Sequence, residues 1–254
     1  SASDLPRELA QELGIDIIPI TIAVDGQGYL EGVDFTPREF YSIIQSAKEI
    51  PTTSQISPVT YCEYYYRAYQ EGYTDVILVG ISSTASATYL RAKDGVELFF
   101  DNCPDAKGKS TFTLWIPKPF LLDTAIRSCR QQDEQGRKDS RGNSDILQDW
   151  FERLDIYITA FSFEFIKKSG RISCAAGIVG EALGIRPIIQ IRQGEMKIIA
   201  KTRGNNVVVQ KMAQIVADKI GEDSPFLMLT GTQPDVGEEM EQLVYQKTGK
   251  KQAL

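Results

Sequence analysis

The chain contains no histidine, and that absence excludes more chemistry than any motif in it suggests. A Ser-His-Asp triad, a Cys-His dyad, a phosphohistidine relay and every His-ligated metal site are ruled out within these residues. Cysteine is scarce as well. Cys62, Cys103, Cys129 and Cys174 are widely separated, with no C-x-x-C pair, which fits reduced thiols in a cytoplasmic protein better than a zinc site or a disulfide framework. No apolar run approaches the roughly 20 residues of a membrane-spanning helix, and the first residues carry no signal-peptide pattern. Basic excess is missing too. Lys and Arg number 28 against 34 Asp and Glu, a net charge of -6, which argues against a nucleic-acid partner, because phosphate binding needs a basic face. Carboxylate pairs remain possible, yet no spacing marks one out. These absences single out no metal site and no histidine-based catalytic residue.

What is present is ordinary in bulk, 42% hydrophobic and 24% charged over 254 residues, enough for two domains that each bury a core. Pro6 to Leu13 reads as a helix ended by Gly14, and Ile15 to Val24 as a strand before the turn Asp25-Gly26-Gln27-Gly28. Thr36, Pro37 and Glu39 form a capping-box signature for a helix expected to reach Lys48. Pro51 holds the next stretch extended. Ser57-Pro58 then opens a tyrosine-rich helix through Glu71, whose rings at that spacing cover a core or an interface. Thr74 to Gly80 is a near-continuous apolar strand of the buried parallel kind, followed by a helix from Thr88 to about Phe99. Beyond Ser173 the pattern is α+β, with the domain boundary expected near Tyr157. Strands Ile185–Arg192 and Met196–Arg203 flank Gln193-Gly194, an amphipathic helix spans Asn206–Ile220, a strand Phe226–Thr230, and a helix Val236–Thr248.

Three polar turns stand at strand or helix ends, where α/β sheets place their ligands. The first is Pro51-Thr52-Thr53-Ser54-Gln55. The second is Ile81-Ser82-Ser83-Thr84-Ala85-Ser86-Ala87-Thr88-Tyr89. The third, Lys167-Lys168-Ser169-Gly170-Arg171-Ile172-Ser173, lies between a strand and a run of small apolar residues at helical spacing. Arg171 can offer a planar fork of donors to a carboxylate or phosphate. Taken alone, that third motif reads as a solvated basic turn, and the other two turns change that reading.

Together with Gly184-Ile185-Arg186-Pro187-Ile188, these runs resemble the DegV family of fatty-acid-binding proteins, in its order and spacing from Ser1 to about Thr232. The resemblance implies an α/β fold of two domains. Residues 1–156 would form an N-terminal domain around a mostly parallel, Rossmann-like sheet with flanking helices, and residues 157–254 a C-terminal α+β domain. It implies a family strand before Ser1, and a terminal segment with a histidine-bearing turn after Leu254. It also implies a long-chain fatty acid bound between the domains, against the Ile185–Ile191 strand and the Ile178–Leu183 helix. Head-group binding falls to Thr53 and Ser86, with Ser83 as the alternative and Arg171 near the pocket mouth. Lys167, Lys168 and Arg171 would contact a separate fatty acid kinase that phosphorylates the bound carboxylate. No cofactor is implied, and the protein would be a carrier, not an enzyme. Two departures stand out. Ala87 occupies a position usually held by glycine in the family, and Leu114–Gln132 lacks the family's Asp-Ser-Lys run; a one-base slip across Trp115-Ile116 would restore its aspartate, the alternative being a divergent surface loop. Two other functions stay open from the residues alone, a binding module for a phosphorylated small molecule and a serine-dependent hydrolase using Ser83 or Ser86.

Overall fold

The structure, a computed structural model, describes residues 5–80, 86–115, 149, 152–161, 184–192, 195–221, 224–231 and 233–252. Packing divides the chain into two units, Ser1–Leu154 and Asp155–Leu254.

In the first unit, α1 (Arg7–Glu12) follows Pro6 and stops before Gly14, whose φ of +64° suits the left-handed turn that closes a helix. The strand expected from Ile15 is shorter, with β1 covering only Thr21–Val24. Pro19 has no N–H to give a ladder, so the preceding stretch stays outside the sheet, and Ile18 is buried in a different cluster. β2 (Gln27–Leu30) returns antiparallel across Asp25-Gly26, both at positive φ (49° and 84°), the backbone that a two-residue hairpin requires. Thr36 and Glu39 close the expected capping box around Pro37, with Glu39 Oε2 accepting the Thr36 amide at 2.7 Å. Helix α2 (Pro37–Ser46) ends two residues before Lys48, because the Lys48 and Glu49 amides turn to Asp25 instead. β3 (Thr52–Ser54) then pairs with the free side of β1, setting Thr53 opposite Ile22.

Ser57 caps α3 (Pro58–Gln70) by accepting the Thr60 amide at 3.0 Å. Tyr61 and Tyr65 of that helix are core residues, each 2% exposed, while Tyr66 faces outward. They pack with Phe99 of α4 (Thr88–Asn102) and with Phe112 of β5 (Thr111–Trp115). Helices α3 and α4 meet at Gly95, where a Cβ would lie 2.6 Å from Tyr61 Cβ. β4 (Asp75–Val79) and β5 form a parallel ladder, Val76 beside Phe112 and Leu78 beside Leu114. The class is α/β, as expected. Within it the parallel part of the described sheet is this ladder, and the unit holds in addition the antiparallel set β2-β1-β3. The two-residue Asp25-Gly26 connection leaves β2 no route but the antiparallel one. Leu114 and Trp115 belong to β5, opposite Leu78 and Val79, so the strand continues two residues into the stretch that departs from the family pattern.

The second unit is built on an antiparallel sheet, β6 (Ile156–Ile158), β7 (Ile185–Arg192) and β8 (Glu195–Arg203), in that order. Its register separates two faces. Ile188 and Ala200 look toward α5 (Asn205–Lys219) and α6 (Pro234–Thr248), where Val208, Val209, Ala213 and Val244 complete a core. Ile156, Ile158, Ile189, Ile191, Met196 and Ile198 share the opposite face. The switch occurs at a bulge between Ile188 and Ile189, which leaves Ile199 unpaired and exposed. One expectation fails here. Phe226–Thr230 forms no strand among the described residues; Phe226 and Met228 pack on the helical core, and the Met228 amide donates to Gln252 Oε1 at 3.3 Å instead of to a ladder.

Candidate functional site

Of the side chains nominated by sequence, Thr53 and Ser86 lie within the described residues. Ser83 falls in 81–85, and Lys167, Lys168 and Arg171 fall in 162–183, both outside them. The Ile178–Leu183 helix of the expected lipid wall also lies outside, whereas Ile185–Ile191 is β7.

Thr53 is the middle residue of the exposed strand β3. The approach to that strand is fixed by a contact that sequence reasoning missed. Both Asp25 carboxylate oxygens lie 3.1 Å from the Lys48 amide, and Oδ1 accepts the Glu49 amide at 3.1 Å. Those amides, Lys48 first and then Glu49, hold the Asp25 carboxyl below its ordinary range. Asp25 therefore clamps the connection between α2 and β3 to the hairpin, and β1 sets the register of Thr53 from the other side. The Asp-Gly pair was legible as a turn. The clamp, 23 residues away in sequence, was not.

Ser86 lies between the end of the parallel strand β4 and the first turn of α4, partly buried. Its Oγ accepts the Thr88 amide at 3.3 Å and stands 2.8 Å from Thr88 Oγ1. Thr88, 7% exposed, is a buried polar residue of the described core. Two hydroxyls and the amino end of a 15-residue helix thus meet at one point, and both the donors and the helix dipole favour an anion there. Ala87 fits without strain, because its φ of −75° is open to any residue. The alanine that departs from the family pattern leaves this backbone in an ordinary conformation. Thr88 was visible in the sequence only as the start of the helix; its burial beside Ser86 is a fact of the fold.

Downstream, the Gly184–Ile188 run forms the start of β7. Gly184 has φ +65° and its carbonyl accepts the Gly204 amide at 3.0 Å; Arg186 Nε donates to Asn205 Oδ1 at 2.9 Å. Pro187 is fully buried, and its carbonyl accepts the Thr159 hydroxyl at 3.0 Å. This motif is structural, joining β6, β7, β8 and α5. Among the described residues no group of His, Cys, Asp and Glu is arranged to hold a metal ion, and no helix is long and apolar enough to cross a membrane.

A family described as uncharacterised protein, DegV, matches residues 1–253. A DegV domain-containing protein of Caldanaerobacter subterraneus is 29% identical over 210 residues, 83% of this chain and 72% of its own length. Among the solved structures that share the fold are two described as binding or loaded with a fatty acid. One is a stearic-acid-binding protein from Eubacterium ventriosum, with TM-score 0.84 and 21% identity over 99% of this chain and 87% of that one. The other is the Streptococcus pneumoniae Fatty Acid Kinase (Fak) B3 protein loaded with linoleic acid, with TM-score 0.77 and 16% identity over 92% of this chain and 81% of that one. With the family matched along nearly its whole length, the chain belongs to the DegV family.

Proposed function

We propose that this protein binds a long-chain fatty acid and presents its carboxylate to a separate fatty acid kinase, as a cytoplasmic carrier that makes no covalent bond itself. The observation that carries the reading is the Ser86–Thr88 hydroxyl pair at the start of α4, the helix that follows the parallel strand β4 in the chain. The stearic-acid-binding and linoleic-acid-loaded relatives with the same fold support it. The division of labour follows from the ligand. Each buried methylene contributes about 0.8 kcal/mol, so the tail supplies affinity. The tail does not discriminate the head. A carboxylate leaving water needs hydrogen bonds, and Thr53 and Ser86 are the proposed donors, with Ser83 as alternative and Arg171 as a further candidate. Lys167, Lys168 and Arg171 make a basic loop suited to the kinase, since arginine is enriched among interface anchors.

Removing one hydrogen bond to a charged group costs about 1.5–3 kcal/mol. Thr53→Ala and Ser86→Ala are each expected to weaken fatty acid binding about 10- to 100-fold in a fluorescence-displacement assay, with the fold intact by circular dichroism. Wild-type affinity in both variants refutes the head-group assignment. Native mass spectrometry of the purified protein should show a fatty acid adduct; a phosphate ester in its place supports a phospho-ligand module instead. Arg171→Ala should bind fatty acid normally and be a poor kinase substrate, and a joint loss would move Arg171 into the carboxylate site.

A further inference from the structure

If Ser86 holds the carboxylate, as proposed above, the direction of its hydroxyl proton decides whether it can. A serine hydroxyl has one proton to donate and two lone pairs to receive. One lone pair of Ser86 Oγ receives the Thr88 amide, at 3.3 Å. The 2.8 Å contact between Ser86 Oγ and Thr88 Oγ1 is a hydrogen bond in which either hydroxyl can donate. If Ser86 donates, its proton is spent inward and it meets an anion with lone pairs alone. The Thr88 proton must then find another acceptor at a residue only 7% exposed. If Thr88 donates, both lone pairs of Ser86 are engaged by the same residue, and the Ser86 proton turns away from α4. An approaching carboxylate selects the second arrangement, because it accepts and cannot donate.

We infer that Thr88 is a positioning residue for the head-group site, its buried hydroxyl and amide together aiming the Ser86 proton at an anionic ligand. It touches the ligand only through Ser86. This makes Thr88 a determinant of head-group specificity, since the alignment favours a charged acceptor over a neutral ester with the same tail. Valine at this position keeps the β-branched shape and removes only the hydroxyl, whereas serine keeps the hydroxyl.

The test compares palmitate and methyl palmitate binding in wild type, Thr88→Val, Thr88→Ser and Ser86→Ala. The inference expects Thr88→Val to lose about tenfold for palmitate and less than twofold for the ester, with Thr88→Ser restoring the palmitate affinity. Equal losses for both ligands would mean a packing role and overturn it. So would wild-type palmitate binding in Thr88→Val while Ser86→Ala is impaired, an outcome that leaves the head-group reading standing. Wild-type palmitate binding in Ser86→Ala overturns the Ser86 assignment and this inference with it. Circular dichroism of each variant checks folding, and the serine variant carries the test if the valine variant fails to fold, its expected result then being wild-type preference for palmitate and its refuting result the loss of that preference.

Discussion

Replacing Gly95 with alanine tests the packing on which the first unit depends. Helical propensity alone says the change should help, because alanine is better than glycine inside a helix by about 1 kcal/mol. The structure says the opposite. A Cβ on Gly95 would lie 2.6 Å from Tyr61 Cβ, 3.0 Å from the Pro58 carbonyl oxygen and 3.5 Å from the Cys62 amide nitrogen. Carbon atoms pack at about 3.5–4.0 Å, so α3 and α4 would have to separate by about 1 Å at their crossing. None of the three atoms is the end of a flexible side chain. Two are backbone and the third is the root of a tyrosine in the core. Overpacking of that kind costs about 1–3 kcal/mol, and separation also loosens Tyr61, Tyr65 and Phe99, which fill the space between these helices and β5. Taking the upper part of that range and subtracting the propensity gain leaves a net loss of about 2 kcal/mol. Urea denaturation followed by circular dichroism, with hydrogen exchange at the α3 and α4 amides, measures it. Gly237→Ala in α6 is the control. There the added Cβ would lie 2.2 Å from Cγ2 of Thr230, an exposed side chain that a rotamer change can move, so the net effect is expected within about 1 kcal/mol of zero. A Gly95→Ala protein as stable as wild type would refute the reasoning.

Asp25→Asn keeps a residue that tolerates positive φ and removes the charge that clamps Lys48 and Glu49. Because the folded carboxyl titrates below its ordinary value of 3.8, Asp25 contributes stability above that pH and loses it as pH falls through the lower folded value. The asparagine variant should therefore show a flatter loss of stability below about pH 4 and weaker fatty acid binding through a displaced Thr53; an unchanged acid profile would count against the clamp. At the alkaline end, burial pushes Tyr61 up to about 12. Tyr65 is raised by burial and, secondarily, by Tyr61. Both phenols favour the folded state below their ordinary value of 10, and that stability is lost as pH rises through the folded values. Tyr61→Phe should move the alkaline unfolding midpoint upward, and an unmoved midpoint would show that Tyr61 does not ionise on unfolding there.

How far the sequence could be read depended on the range of the interaction. Caps were legible because their partners lie three residues apart. Thr36 with Glu39, and Ser57 with Thr60, stand where the local pattern puts them. The β7–β8 hairpin was legible for the same reason, its strands reading as alternating runs on either side of one turn. Pro19 sits inside an apolar run that reads as strand, and its missing N–H keeps the residues before it out of the ladder. The failures lie where a distant partner decides. Phe226–Thr230 has the composition of a strand, but among the described residues the Met228 amide meets a glutamine side chain 24 positions away, not a neighbouring strand.

The candidate site divides along the same line. Thr53 and Ser86 were nominated by local motif, and a motif can say which hydroxyls are present. It cannot say what aims them. Asp25 reaches β3 through amides of another element, and Thr88 acts on Ser86 through a burial that only the packed α4 creates. For a ligand whose tail supplies most of the binding energy, that aiming is the part that carries specificity. A misaligned hydroxyl would leave the protein sticky for any long apolar chain. Selection among ligands of equal tail length should therefore depend on residues that make no contact with the ligand at all.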